Sequence, residues 1–252
     1  VRAIAVNTFR EAVRSRIFYI LMAFSVAMIL LSAFMALLTV GSRNKILVDL
    51  GLSFSSIFSV LTAIFVGIGL VYHEVERKTI YNVLSKPLSR TRFILGRYVG
   101  LMTVLLVNLL AMITLLSLVL LLFKGFTWQV FTAAGFIYLE VAVLTALALF
   151  FSSVSSPVVS ALCTGAFFVV GRSSATLEEL LAPMLREKAA KGFVNGLYHL
   201  LPDLSVLDIT NLVAYDIPIA RGFALRAILY AAAWVALLLT AACLSFRRRD
   251  LV

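Results

Sequence analysis

Two places along the 252 residues combine side chains able to do chemistry. The first is a charged segment, 73–97. It sets Glu74 and Glu76 beside Arg77 and Lys78, then Thr79, Ile80, Leu84, Pro87 and Arg90. A short charged helix between two spans is shaped to receive force from a soluble partner; the other reading is an ordinary positive-inside loop. The second is one acid, Glu140, inside an otherwise uncharged run, 130–151. A carboxyl there is expensive, about 2.5–3.5 kcal/mol for Asp at the centre of a membrane helix, so it must face protein or water or carry a proton. Asn108 stands at a similar depth in the run 98–123 and is a candidate partner. Two readings are open: a contact on a substrate path or gate, or a neutral Glu140 hydrogen-bonded to a neighbouring helix.

Other chemistries find no support in the residues. His73 and His199 both lie outside the apolar runs, and no His-Glu-x-x-His string occurs, so neither a metal site nor a haem site is expected. No catalytic residue is assigned. Cys163 and Cys243 sit in apolar runs and read as small fillers, with no disulfide expected.

The elements that must position these residues follow from composition. Hydrophobic residues make up 62% of the chain and charged residues 13%, against about 25% charged in an ordinary soluble domain. A chain this short cannot bury so much apolar surface in water. Apolar runs at 17–40, 50–72, 98–123, 130–151, 157–171 and 227–246 read as six transmembrane helices, since about 20 apolar residues cross a bilayer core. The run 157–171 is short, but Ser156 and Pro157 mark a helix start. The expected fold is a single all-α membrane domain over 1–252. It has an interfacial helix over 1–16, with Val6, Phe9, Val13 and Ile17 on one face. A short amphipathic helix over 74–85 carries Val75, Ile80, Val83 and Leu84, and Pro87 stops it. Short helices are expected in 172–221, either dipping into the outer leaflet or forming a solvated amphipathic loop. Ser55, Ser59, Ala63 and Gly67, each four apart, form a small-residue stripe suited to close helix packing, within the chain or between two chains.

The net charge of +10 sits beside the apolar runs rather than in a nucleic-acid patch. Arg2, Arg10, Arg14 and Arg16, the six basic residues between Arg77 and Arg97, and Arg247, Arg248 and Arg249 fall on one side of a six-span arrangement. Arg43, Lys45 and Lys124 fall on the other. The positive-inside rule therefore places both termini and 73–97 in the cytoplasm and 172–221 outside. The first apolar run is too long for a signal-peptide core, and no small-residue cleavage site follows it, so it is expected to stay in the chain.

The string EVERKTIYNVLSKPLSRTRFILGRYVG, from Glu74 to Gly100, resembles the cytoplasmic loop of ABC-type-2 transporter permeases. Glu74, Glu76, Arg77, Thr79, Leu84, Ser85, Pro87, Ser89, Arg90, Gly96 and Arg97 carry the likeness; Lys78 stands where many relatives have Gly. Asn7–Arg14, Leu147–Ser153, Leu201–Leu204 with Asp208, and Phe246–Arg249 add weaker matches, so the resemblance covers nearly the whole chain. It implies a permease subunit of an exporter-like ABC transporter in a bacterial or archaeal cytoplasmic (inner) membrane. It implies a second permease copy, in a homodimer or heterodimer, and a separate ABC ATPase that holds ATP and magnesium. In such proteins the loop helix couples to the ATPase. Glu74, Glu76, Arg77, Lys78, Thr79, Ile80, Leu84, Pro87 and Arg90 would carry that coupling here. The substrate would be hydrophobic or amphipathic, and this chain would bind no cofactor. The absence of a phosphate-binding Gly-x-x-x-x-Gly-Lys-Ser/Thr string agrees with ATP hydrolysis on another polypeptide.

Rival classes make different demands. A secondary transporter or channel needs ionisable groups along a path in the membrane, and only Glu140 qualifies in the runs. A passive membrane anchor for a larger complex could keep the same loop, and only an ATPase rate that responds to loop mutation separates it from a coupled permease.

Overall fold

A computed structural model describes residues 1–39, 43–76, 90–173, 202–215, 217 and 221–248. Among these the chain is helical throughout its regular elements: α1 (Arg2–Arg14), α2 (Arg16–Leu38), α3 (Arg43–Glu76), α4 (Arg90–Leu122), α5 (Gln129–Val154), α6 (Pro157–Arg172), a 3-10 turn (Ser205–Leu207), α7 (Thr210–Ala214) and α8 (Arg221–Arg248). An all-α membrane fold is the form in which every backbone polar group is satisfied within its own segment, as lipid requires.

Among the described residues, five helices are long and apolar enough to cross a membrane, within α2, α3, α4, α5 and α8. The fifth expected span exists as α6 and starts at Pro157 as its sequence indicates. Its 16 residues reach only about 24 Å at 1.5 Å per residue, short of a hydrocarbon core of about 30 Å. By contrast, α3 and α4, with 34 and 33 residues, run to about 50 Å and must overrun that core. The charges of 43–49 do not stop α3, which begins seven residues before the apolar run at Leu50.

The centre of the bundle is α5, buried on every side from Glu140 through Leu149. A helix with no polar face and no exposed face belongs in the interior. Packed around it are α3, α4, α6 and α8. The rings of Phe136 and Phe223 stack at 5.9 Å between α5 and α8. Tyr98 Oη donates to the Ala142 carbonyl and Tyr138 Oη to the Met102 carbonyl, both at 3.3 Å, fastening α4 to α5 at two levels. Five other buried hydroxyls are satisfied locally: Ser25, Ser32, Ser55, Thr145 and Thr164 each donate to a carbonyl three or four residues back on their own helix.

The outer surface is a broad apolar belt. On α2, Tyr19, Ile20, Phe24, Leu30, Phe34 and Leu38 point outward, while Phe18, Ser25, Ile29, Ser32 and Ala36 form its one buried stripe. Lipid contact makes this arrangement stable, because hydrocarbon outside offers what a core would offer inside.

The small-residue stripe of α3 faces inward. Ser55, Ser59, Ala63 and Gly67 are all buried within the chain. Ser59 Oγ lies 3.8 Å from Met112 Sδ, and a Cβ on Gly67 would stand 3.6 Å from Leu101. One turn before the stripe, Gly51 leaves the space that Leu116 fills. Small residues on α3 thus admit large ones from antiparallel α4.

The N-terminal helix packs differently from its apolar pattern. Its buried residues are Thr8 and Ala12. A Cβ on Gly100 would come within 2.7 Å of both the Ala5 carbonyl oxygen and Thr8 Cβ, and one on Gly96 within 2.8 Å of Ile4 Cβ. Gly96 and Gly100 therefore let α1 lie directly on the first turns of α4. Val6, Phe9 and Val13 sit roughly a third of a turn further round. Val6 is 45% exposed, so α1 has one face for protein and an apolar face left for its surroundings. Ile17, expected on the same stripe, falls in α2, because the helix breaks at Ser15.

Candidate functional site

Arg2, Arg10 and Arg14 of α1, Arg16 at the start of α2, and Arg92 and Arg97 of α4 gather at one end of the bundle. There α1 lies on the start of α4, and the last turns of α8, which packs on α4, reach the same end. The same end receives the last turns of α3. Glu74 and Glu76 fall in α3, whose helix continues unbroken past Tyr72. The separate helix expected from Glu74 therefore begins, over its first residues, as the end of span two. Arg90 opens α4. Arg77, Lys78, Thr79, Ile80, Leu84 and Pro87 lie outside the described residues. Two residues on from Arg90, Arg92 is exposed. Arg97, by contrast, is 2% exposed, with its guanidinium carbon 5.7 Å from the centre of the Phe93 ring.

The opposite end carries Lys45, Lys124 and the 202–215 segment. Lys45 Nζ lies 4.9 Å over the Tyr215 ring. Helix α4 ends there in a Schellman arrangement: the Gly125 amide donates to Leu120 O at 2.9 Å and the Lys124 amide to Leu121 O at 3.1 Å. Lys124 takes the left-handed conformation, φ 55°, that this cap requires.

Between the two ends, at mid-bundle, lies a polar cluster built from four elements. Glu140 of α5 is 1% exposed. Its Oε1 accepts from Arg172 Nη1 at 2.9 Å, and its Oε2 accepts from Ser56 Oγ of α3 at 3.0 Å. Arg172 Nη1 also lies 2.9 Å from Ser56 Oγ. The other branch of the guanidinium, Nη2, meets Asp208 Oδ2 at 2.8 Å. Asp208 in turn accepts the Thr210 amide at 3.2 Å on Oδ1, which fixes its carboxylate at the start of α7. Arg172 also lies over the Phe168 ring, at 5.9 Å.

The length of α6 explains why Arg172 reaches Glu140. The helix starts three residues after α5 ends, climbs 16 residues and stops. Glu140 is 14 residues from the end of α5, so both side chains stand at about the same height, near 21–24 Å from that end. The end of α6 inside the bundle leaves carbonyls to satisfy. The 202–215 segment supplies a donor: the Leu204 amide bonds Gly171 O at 3.0 Å. Gly171 permits this approach, since a Cβ there would sit 2.8 Å from the Pro202 carbonyl oxygen and 3.0 Å from Leu204 Cγ. Leu204, Leu207, Ile209, Thr210 and Val213 are buried against the bundle. Asp203 Oδ1 accepts from the Ser205 amide and hydroxyl, and Tyr230 Oη of α8 meets the Asp203 amide at 2.6 Å. Of the two arrangements open for the outer segment, this part takes the protein-covered one, as irregular backbone at membrane depth must.

The cluster corrects one expectation and adds residues the sequence did not reveal. Glu140 does face protein, but its partners are Arg172 and Ser56 rather than Asn108. Asn108 is 1% exposed, and neither atom of its amide has a hydrogen-bond partner among the described residues. Arg172 and Asp208 had been assigned to the outer segment by their place in the chain. The signal that could have found Arg172 was the shortness of the run 157–171, which ends its first flanking charge at mid-membrane. Among the described residues, no group of acidic, histidine or cysteine side chains could hold a metal ion.

Chemically, two carboxylates share one guanidinium in a largely apolar surround. That is a mechanical fastening with no nucleophile in it. A bundle of apolar helices with a buried charge-paired cluster at mid-depth defines a multi-pass, all-α membrane protein. Residues 2–251 match the family model described as ABC-2 family transporter protein. The chain belongs to that family and is a membrane permease of an ABC transporter. No curated protein matches it.

Proposed function

We propose that the chain is the membrane half of an ATP-driven pump, with ATP and magnesium held by a separate ABC ATPase that docks at the basic end. The observation that carries this reading is the overrun of α3 and α4. At the basic end α3 continues four residues past its apolar run to Glu76, about 6 Å, and α4 starts eight residues before its run, at Arg90, about 12 Å. The charged segment between Glu74 and Arg90 joins them. A lever attached to the two longest helices moves the bundle most. On this reading Glu74, Glu76, Arg77, Lys78, Thr79, Ile80, Leu84, Pro87 and Arg90 engage the ATPase. Force passes through α4 to its contacts with α1 and α5.

The basic end then faces the cytoplasm, both termini lie there, and the membrane is a bacterial or archaeal cytoplasmic membrane. A second permease chain completes the transporter, and the apolar belt suits a hydrophobic or amphipathic substrate. The test is a Glu76→Ala, Arg77→Ala double variant in the purified complex. Its affinity for the ATPase should fall about tenfold or more, a loss of about 1.4 kcal/mol. An undiminished, fully coupled complex would refute docking through this segment.

A further inference from the structure

We infer that Arg172 is the positioning residue of a clasp that holds the 202–214 segment and the end of α6 closed over the centre of the bundle, and that the clasp opens at Asp208 during transport. The inference rests on the reading of the chain as an ATP-driven permease and adds where its outer closure lies.

The cluster has a fixed side and a releasable side. On the fixed side, Glu140 and Ser56 are 1% and 0% exposed, on the two most interior helices. Parting Arg172 from Glu140 would strand a carboxylate where no water can reach it. On the releasable side, the side chains of Arg172 and Asp208 are 21% and 25% exposed. Asp208 can rehydrate as it leaves. It is carried between a three-residue 3-10 turn and the five-residue α7, too little helix to hold its shape without the bundle. Arg172 keeps one partner when Asp208 departs, so the guanidinium is never left bare.

Other ties between this segment and the helices include the Leu204 amide on Gly171 O, the Tyr230 hydroxyl at the Asp203 amide, and the apolar contacts of Leu204, Leu207, Ile209 and Val213. Movement of the segment would uncover Gly171 and the Glu140–Arg172 pair from the end opposite the basic one. One overrunning helix links the parts, because Ser56 on α3 belongs to the fixed side of the clasp while the end of α3 leads into the charged segment. A shift of α3 therefore reaches Ser56 and Arg172 directly.

The test uses the chain with its ATPase in lipid nanodiscs, with Cys163 and Cys243 replaced by Ala and a reporter introduced as Leu207→Cys. Leu207 is buried in the closed form, so its thiol should react slowly with a charged maleimide. Adding ATP should raise the rate about tenfold or more, as expected when a minor open state becomes dominant. Asp208→Asn and Arg172→Met should each give the fast rate without ATP. Arg172→Lys, which keeps the charge, should restore slow labelling at rest. Slow resting rates in both Asp208→Asn and Arg172→Met would overturn the clasp. So would a fast rate in Arg172→Lys equal to that of Arg172→Met. A wild-type rate that ignores ATP while the two variants still label fast would sink the ATP-driven reading and leave the clasp standing.

Discussion

Glu140 and Arg172 illustrate how a buried charge pair differs from either charge alone. Removing the arginine leaves an acid at 1% exposure without its main partner; breaking such a pair costs about 3–5 kcal/mol. Removing both charges leaves neither stranded. Arg172→Met should therefore lower the melting temperature in detergent clearly, and Glu140→Gln with Arg172→Met should recover about 1–3 kcal/mol of the loss, the coupling size expected of contacting residues. Additive losses in that cycle would mean the two side chains do not act as a pair. Glu140 was legible in the sequence because it is the one charge in its apolar run. Its partners were not. Arg172 looks like a loop residue until the height of α6 is measured against α5. Ser56 stands one place along from the small stripe and points elsewhere: successive residues on a helix differ by about 100°, so Ser55 turns into α3's own packing while its neighbour meets the acid. Spacing along one helix reveals which face a residue shares, and it says nothing of which helix comes to that face.

At the scale of elements, length and composition carried most of what could be read. The runs at 17–40, 50–72, 98–123, 130–151 and 227–246 all became membrane-length helices, since uncharged stretches of that size have no other stable form in lipid. Ends were less legible: α3 begins at Arg43 and runs through Glu76 because charged residues continue a helix once it leaves the hydrocarbon. The face by which α1 packs was hidden for a related reason. An apolar stripe signals burial in water, but beside a membrane the small, polar-tolerant face makes the protein contact and the apolar face is left outward. Gly96 and Gly100 hold that contact. Gly100→Leu should force α1 off α4 and cost about 1–3 kcal/mol, as overpacking does. Gly135→Leu, where a Cβ meets nothing within 4 Å, should melt close to the parent protein. Equal melting of the two variants would show that α1 is not seated on α4.

Taken whole, the molecule has a basic end where α1, the first turns of α4 and the last turns of α8 gather, and an opposite end closed by a short re-entrant segment. Family membership accounts for transport across the membrane. The charged string 74–97 stands out in the sequence, because it separates two long apolar runs with a patterned set of charges. The closure at the other end was the least readable, because it depends on one helix stopping halfway. The most direct test is photo-crosslinking in native membranes, with a benzophenone amino acid placed either at Tyr81, in the charged segment, or at Trp128, which is 77% exposed at the opposite end. The account predicts a covalent adduct with the ABC ATPase from position 81 and none from position 128. An adduct from position 128, with none from position 81, would contradict it.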